Sequence, residues 1–131
     1  MALQSPDLKL IEAARSIIRE RFKPNFHHVG AALRTQSGQI FAAVHLEANV
    51  GRIAVCAEAI ALGMAAATGD TNVESIVAVD RNGNVVSPCG MCRELISDYS
   101  PDARVIVPGK GSAEVLSIRD LLPQKYIRNE T

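Results

Sequence analysis

Residues 73–99 read VESIVAVDRNGNVVSPCGMCRELISDY and decide the architecture of the chain. The segment over 73–80 is typical of a buried strand, and the Arg-Asn-Gly-Asn sequence over 81–84 is typical of the turn that closes it. A buried helix is predicted to begin in the Ser-Pro-Cys segment and to run to about residue 99. A strand that leads directly into a helix indicates an α/β protein.

The flanking segments continue this alternation in both directions. Upstream, residues 55–68 are rich in Ala, Leu, Ile and Met, which predicts a helix that is apolar nearly all round and therefore buried. The remaining predicted elements are an amphipathic first helix with apolar residues Leu8, Ile11, Ala14, Ile18 and Phe22, strands over 29–35, 40–44, 103–107 and 114–116, and a short helix over 118–122. These elements predict helices on both faces of one mixed sheet.

The composition fits one domain of ordinary size. Of the 131 residues, 47% are hydrophobic, and a chain of this length hides roughly two thirds of its unfolded surface. We therefore expect residues 1–131 to form a single domain. The 14 basic residues balance the 14 acidic ones and are spread along the chain, which disfavours nucleic acid as a partner.

Neither a membrane nor an oxidising compartment is expected. The longest apolar run is too short to cross a bilayer. Asp7, Glu12 and Arg15 lie where the apolar part of a secretion signal would have to be. We therefore expect a cytoplasmic protein whose cysteines stay reduced.

All three cysteines lie in the first turn of a predicted helix. Cys56 opens one helix, and Cys89 and Cys92 open the next. The free amides and the positive dipole end of a helix stabilise thiolate over thiol, and thiolate is the form that binds a metal. Three sulfur ligands favour zinc, and a fourth position left open is typical of a catalytic zinc site.

Glu58 lies two residues after Cys56, where it is better placed to reach a zinc-bound water than to bind the metal. We interpret Glu58 as a general acid and base. Two other interpretations stay open at this point. Cys89 and Cys92 could form a redox pair, or the zinc could be structural with a histidine as its fourth ligand, the candidates being His27, His28 and His45.

Four segments together resemble the zinc-dependent cytidine deaminases that act on free nucleosides. They are Val29-Gly30-Ala31-Ala32-Leu33, Cys56-Ala57-Glu58, Pro88-Cys89-Gly90-Met91-Cys92-Arg93 and Leu121-Leu122-Pro123. The final segment also resembles blasticidin S deaminases. The resemblance implies a three-layer fold with a five-stranded mixed sheet, zinc on the three cysteines, and a homotetramer in which neighbouring subunits complete each active site.

The same resemblance implies the reaction, which is hydrolytic deamination of an aminopyrimidine to the uracil form with release of ammonia. By the family pattern, Glu58 takes a proton from water at the zinc and passes it to ring N3. The Ala57 amide binds the ring carbonyl, and the Ser87 carbonyl holds the departing amine. Tyr126 stands where the family places an aromatic residue against a neighbour's substrate.

The sugar side of the expected pocket departs from the family pattern twice. His45-Leu46-Glu47 replaces Asn-x-Glu, which keeps Glu47 as a substrate contact and puts His45 in place of asparagine. His27-His28 replaces the usual Phe-Pro. We expect these changes either to weaken binding of ordinary cytidine or to mark loop and strand ends without a role in recognition.

A third departure concerns charge. Ala59 replaces an arginine that offsets the charge of three thiolates in tetrameric members, which leaves two helix dipoles and Arg93 to do so.

Cytidine and deoxycytidine, within pyrimidine metabolism, are the substrates that the sequence favours. A detoxifying deaminase of the blasticidin S type and a deaminase of free cytosine are the alternatives. An inactive binding module with structural zinc also stays open. An editing deaminase of DNA or RNA is disfavoured by the neutral charge and the five aromatic residues.

Overall fold

A computed structural model describes residues 1–129, which contain four α-helices, one turn of 3-10 helix (Gly51–Ile53) and six strands. The helices are α1 (Ser5–Arg21), α2 (Ala57–Ala67), α3 (Gly90–Tyr99) and α4 (Ile118–Leu121). The strands are β1 (Gly30–Thr35), β2 (Ile40–Val44), β3 (Val73–Val79), β4 (Val85–Val86), β5 (Arg104–Pro108) and β6 (Ala113–Ser117). Within this described part of the chain, no helix combines the length and the hydropathy that a membrane crossing needs.

One mixed sheet carries these strands in the order β2-β1-β3-β5-β6. β3 and β5 are parallel, and the other neighbours are antiparallel. β4 pairs with the last residues of β3, where Val79 lies opposite Val85. The predicted mixed α/β sheet is confirmed, and β4 adds a short sixth strand to the five expected ones.

Helices cover both faces of the sheet, as predicted. Leu10, Ile11, Ala14 and Ile18 of α1 pack on one face, whereas the buried sides of α2, α3 and α4 pack on the other. Gly30 lets α1 approach β1 closely, because a Cβ atom there would lie 2.6 Å from the carbonyl oxygen of Ala14. Backbone packing therefore fixes the start of β1 against α1.

Three helices differ from the sequence prediction in what they bury. In α1, Leu8 is 54% exposed and Leu10 is buried instead. In α2, one side is buried, but Met64 is 42% exposed and the neighbouring Gly63 and Ala66 are exposed as well. In α3, only Cys92 and Ile96 are buried. Apolar composition alone predicted burial, although nothing within residues 1–129 covers the outer side of α2.

A buried carboxylate joins α1 to the sheet. Asp7 is fully buried and accepts hydrogen bonds from both terminal nitrogens of Arg104, at 2.8 and 3.1 Å. It also accepts the backbone N–H of Gln4 at 2.9 Å. Burial opposes the charge, but these donors outweigh it and hold the pKa of Asp7 below its ordinary value.

We expect Asp7→Asn to lower the free energy of unfolding by about 2 to 3 kcal/mol at pH 7, because Arg104 loses its charged partner. Because the folded-state pKa is depressed, this contribution is present above the ordinary carboxyl pKa and is lost as pH falls through the folded value. Urea unfolding of variant and parent should therefore converge in acid. Asp102→Asn is the control, since Asp102 pairs with Arg119 in solvent and such pairs contribute little.

Candidate active site

The two helix starts that carry the cysteines meet beside the end of β3. Cys56 is the residue before α2, Cys89 is the residue before α3, and Cys92 lies in the first turn of α3. Ala57 packs against Ala31 and Ala78, whose small side chains let the start of α2 come close to the sheet. The prediction that all three cysteines lie at helix starts is confirmed.

The spacing of the three sulfur atoms fits a tetrahedral zinc site. Zinc–sulfur bonds of about 2.3 Å at tetrahedral angles place two sulfurs about 3.8 Å apart. The Sγ atoms of Cys56 and Cys89 are 3.8 Å apart, and all three Sγ atoms lie within 4.8 Å of one another. Among residues 1–129 these cysteines form the one such group, and no histidine joins it.

The electrostatics of the cysteine cluster also favour the binding of a cation. Burial raises the pKa of the Cys56 thiol, and burial together with the nearby Glu58 carboxylate raises that of Cys92. The pKa of Cys89 is lowered, because hydrogen bonds from Cys92 and from the backbone of Met91 outweigh the effect of burial. A bound divalent ion would stabilise all three as thiolates.

Glu58 is a carboxyl group held out of water beside this cluster. It is 6% exposed and lies next to the Cys92 thiol. Burial raises its pKa above the ordinary value for glutamate. A raised pKa makes the Glu58 carboxylate a stronger base than an ordinary glutamate, which suits a group that must accept a proton and return it.

A cavity of about 240 Å³ opens directly onto the cluster. It brings together six of the residues selected from the sequence, which are His45, Cys56, Ala57, Glu58, Ser87 and Cys89. Its other lining residues are Val29, Ala54, Val55 and Val86. Mostly apolar walls with a few polar groups at one end are typical of a small-molecule site.

Two predicted substrate contacts lie outside this cavity. Glu47 is partly exposed, and its Oε2 atom lies 3.9 Å from Nε2 of His45. Tyr126 is 79% exposed and lies along α3, near Glu94 and Asp98. Tyr126 therefore does not line the cavity of its own chain.

The histidines form a cluster that the sequence did not predict. Nδ1 of His45 accepts the backbone N–H groups of His28 at 2.8 Å and Val29 at 3.2 Å. Nδ1 of His27 lies 2.9 Å from the backbone carbonyl of His45, so His27 faces backbone and does not line the cavity. The register of the β1–β2 hairpin could have predicted this cluster, because pairing Gly30 with Val44 brings residues 28 and 29 opposite His45.

Arg93 makes two hydrogen bonds that the sequence did not predict. Its Nε atom donates to the carbonyl of Pro88 at 2.9 Å, and Nη1 donates to the carbonyl of Leu121 at 3.0 Å. The guanidinium thus ties the segment before α3 to the end of α4. The groups at the cluster that favour thiolate are the helix starts themselves.

Comparisons with known proteins agree with this geometry. The family model for the cytidine and deoxycytidylate deaminase zinc-binding region matches residues 4–108. A blasticidin-S deaminase from Bacillus cereus is 49% identical over 97% of this chain and 96% of its own length. The crystal structure of a cytidine deaminase from Mycobacterium leprae superposes with a TM-score of 0.81 at 29% identity, over 93% of this chain and 100% of that one.

A second solved structure gives the same result. The cytidine deaminase from Burkholderia pseudomallei is 32% identical, has a TM-score of 0.78, and is matched over 95% of this chain and all of its own. These matches confirm the resemblance proposed from the sequence and the predicted fold. The match to a zinc-binding region, together with the sulfur geometry, confirms zinc as the predicted cofactor.

Proposed function

The chain belongs to the cytidine and deoxycytidylate deaminase family, and from this premise we propose that it deaminates a nucleoside-like cytosine compound of the blasticidin S type. The observation that carries the reaction is the cavity in which Glu58 and the cysteine cluster lie together. The observation that favours this substrate is the 49% identity to a blasticidin-S deaminase along the whole chain. Cytidine and deoxycytidine are the second candidates, supported by the solved cytidine deaminases at 29% and 32% identity.

The cysteine cluster is the zinc site in this proposal. Cys56, Cys89 and Cys92 hold the ion as thiolates, and three protein ligands leave one position open. When bound, zinc supplies a water molecule that is acidic enough to react at neutral pH.

Glu58 moves the protons. It takes one proton from the water that adds to C4 of the ring and delivers it to N3. A second proton reaches the exocyclic nitrogen, the C4–N bond breaks, and ammonia leaves while the water oxygen stays on C4. Water is consumed and ammonia is released, so the reaction needs no other reagent.

Backbone groups hold the ring. The Ala57 amide, at the positive end of α2, donates to the ring carbonyl, and the Ser87 carbonyl accepts from the amine that leaves. Both residues line the cavity beside the cluster. Because backbone groups are fixed by the fold, this arrangement selects the ring without depending on side-chain rotamers.

Ammonia release from purified protein tests the proposal. Blasticidin S, cytidine, deoxycytidine and cytosine are each assayed with the zinc-loaded enzyme, and ultraviolet spectra confirm loss of the amino group. We expect the highest kcat/KM with blasticidin S. A higher value with cytidine would assign the chain to the second candidate, and no ammonia from any of the four would support an inactive binding module.

We also propose a homotetramer with shared active sites in the cytoplasm. Met64 is exposed on the outer side of α2, and Val50, Ile53 and Val55 are exposed in the segment before this helix. Exposed apolar side chains of this kind are typical of an interface. Lys125 bonds Ser97 and Asp98 of α3, and the neighbouring Tyr126 lies beside that helix, outside its own cavity. A reducing compartment suits three thiols that must stay free to hold a metal.

Light scattering at micromolar concentration is expected to give the mass of four chains. Ending the chain before Tyr126 should lower activity while zinc content stays the same, because Tyr126 would contact a neighbour's substrate. Ending it after Tyr126 is the control. A monomer that is fully active would refute both shared sites and the tetramer.

A further inference from the structure

His45 is the polar side chain on the cavity wall whose chemistry the proposed reaction does not use. Its ring is partly buried, and its Nδ1 atom accepts two backbone N–H groups, from His28 and Val29. A ring nitrogen that accepts two donors carries no proton. The proton of the neutral ring must therefore be on Nε2.

We infer that the His28 and Val29 amides lock His45 as a neutral hydrogen-bond donor, and that His45 thereby selects cytosine compounds whose sugar-like part presents an oxygen acceptor to Nε2–H. This inference rests on the proposed function for the identity of the ring. It adds that His45 donates the hydrogen bond to the substrate, a direction that the sequence alone could not show. An asparagine offers both a donor and an acceptor, whereas a histidine held in this way offers only a donor.

The donor has no partner of its own in the described chain. Oε2 of Glu47 lies 3.9 Å from Nε2, which is too long for a hydrogen bond. Nδ1 is engaged with backbone, so Nε2 is the ring nitrogen that remains for a ligand, and His45 lines the cavity. A ligand that lacks an acceptor there would leave a desolvated N–H group unpaired.

The surroundings of the ring favour its neutral form. The titratable groups that face it are His27, His28 and Glu47. Burial and the two neighbouring histidines lower the pKa of His45, and the Glu47 carboxylate opposes them with a smaller effect. Protonation of Nδ1 would also cost both backbone hydrogen bonds, so the donor state is the stable one at neutral pH.

The neighbouring residues fix where the donor lies. The His28 ring packs against His45 with centroids 5.3 Å apart, and Nε2 of His28 accepts the backbone N–H of Asn25 at 2.9 Å. His27 donates from Nδ1 to the carbonyl of His45 at 2.9 Å. Ring and backbone of His45 are thus both held before any ligand binds, which reduces the entropy cost of using the contact.

Nitrogen-15 NMR of the zinc-loaded enzyme tests the lock directly. Long-range proton–nitrogen spectra distinguish the two neutral tautomers, and the spectrum of His45→Gln assigns the signal. We expect His45 to be neutral with its proton on Nε2 at pH 7. A proton on Nδ1, or a charged ring, would overturn the inference even if the enzyme deaminates cytosine compounds.

Kinetics test the selection. His45→Phe keeps a ring but removes the donor, and we expect it to raise KM for blasticidin S or cytidine about fivefold with kcat within about twofold. 1-Methylcytosine has the ring without a sugar, so its kcat/KM should not change. His45→Gln, which can place an amide N–H near the position of Nε2, should recover part of the loss.

The outcomes separate the two proposals. Equal losses for the nucleoside and for 1-methylcytosine, or no loss for either, would overturn the role of His45 while leaving deamination intact. No turnover by the parent enzyme on any of these compounds would overturn the proposed function. The NMR result would in that case still decide the tautomer.

Discussion

Replacing Glu58 by glutamine is expected to lower kcat by at least about a hundredfold while zinc stays bound at about one ion per chain. Glutamine has nearly the same shape but cannot carry a proton. Glu58 is buried beside the cluster, and the proposed metal ligands are the sulfur atoms of the three cysteines. Zinc should therefore stay bound when Glu58 is replaced. The measurements are ammonia release and zinc content on the same sample.

Glu94→Gln is the matched control for this variant. Glu94 follows Cys92 by two residues, just as Glu58 follows Cys56, but it is exposed on α3. Its replacement should leave both kcat and zinc content unchanged. Loss of zinc from Glu58→Gln would instead make Glu58 a metal ligand, and unchanged turnover would make the centre structural.

The fold could be predicted because local sequence and burial agree along most of the chain. The strand β3 is mostly buried on both faces, and its residues 76–79 form a continuous apolar run. The outer side of α2 could not be predicted, because Gly63, Met64 and Ala66 are apolar or small yet exposed. The composition shows that a segment is apolar. It does not show whether the surface of that segment is covered by the same chain or by a second one.

The metal centre could be predicted for a different reason. Cys56 and Cys89 each precede a helix, and the tendency of a helix start to stabilise thiolate is a local property that sequence reveals. The role of Arg93 could not be found in this way, because it depends on where the carbonyls of Pro88 and Leu121 lie after folding. The expected part of Arg93 in offsetting the thiolate charge stays a prediction.

The histidines near the cavity are a second case in which contacts after folding could not be predicted from the sequence. The sequence marked His27 and His45 as departures from a pattern, yet it could not tell which of them lines the cavity. Pairing of β1 with β2 decides this, because it places the His28 and Val29 amides against Nδ1 of His45 and turns His27 toward backbone. The proposed contact of His45 with substrate thus depends on strand register, which sets both the tautomer of the ring and its direction.

Replacing Cys89 by serine is expected to lower zinc content well below one ion per chain and to abolish deamination. Serine is a poor zinc ligand, and two remaining thiolates bind the ion far less well than three. Cys89 is exposed, so the variant loses a ligand without opening a cavity in the core. Metal analysis after purification without added zinc and ammonia release are the two measurements.

Met91→Ala separates loss of the ligand from disturbance of the segment around it. Met91 lies between the two cysteines of α3 and is almost fully exposed, so this variant should keep both zinc and activity. Zinc retained by Cys89→Ser would mean that a group outside the three cysteines binds the ion. A metal-free parent protein with a reversible disulfide between Cys89 and Cys92 would support the redox pair. That pair leaves Cys56 without a role, although its sulfur lies 3.8 Å from that of Cys89, the separation that two zinc ligands require.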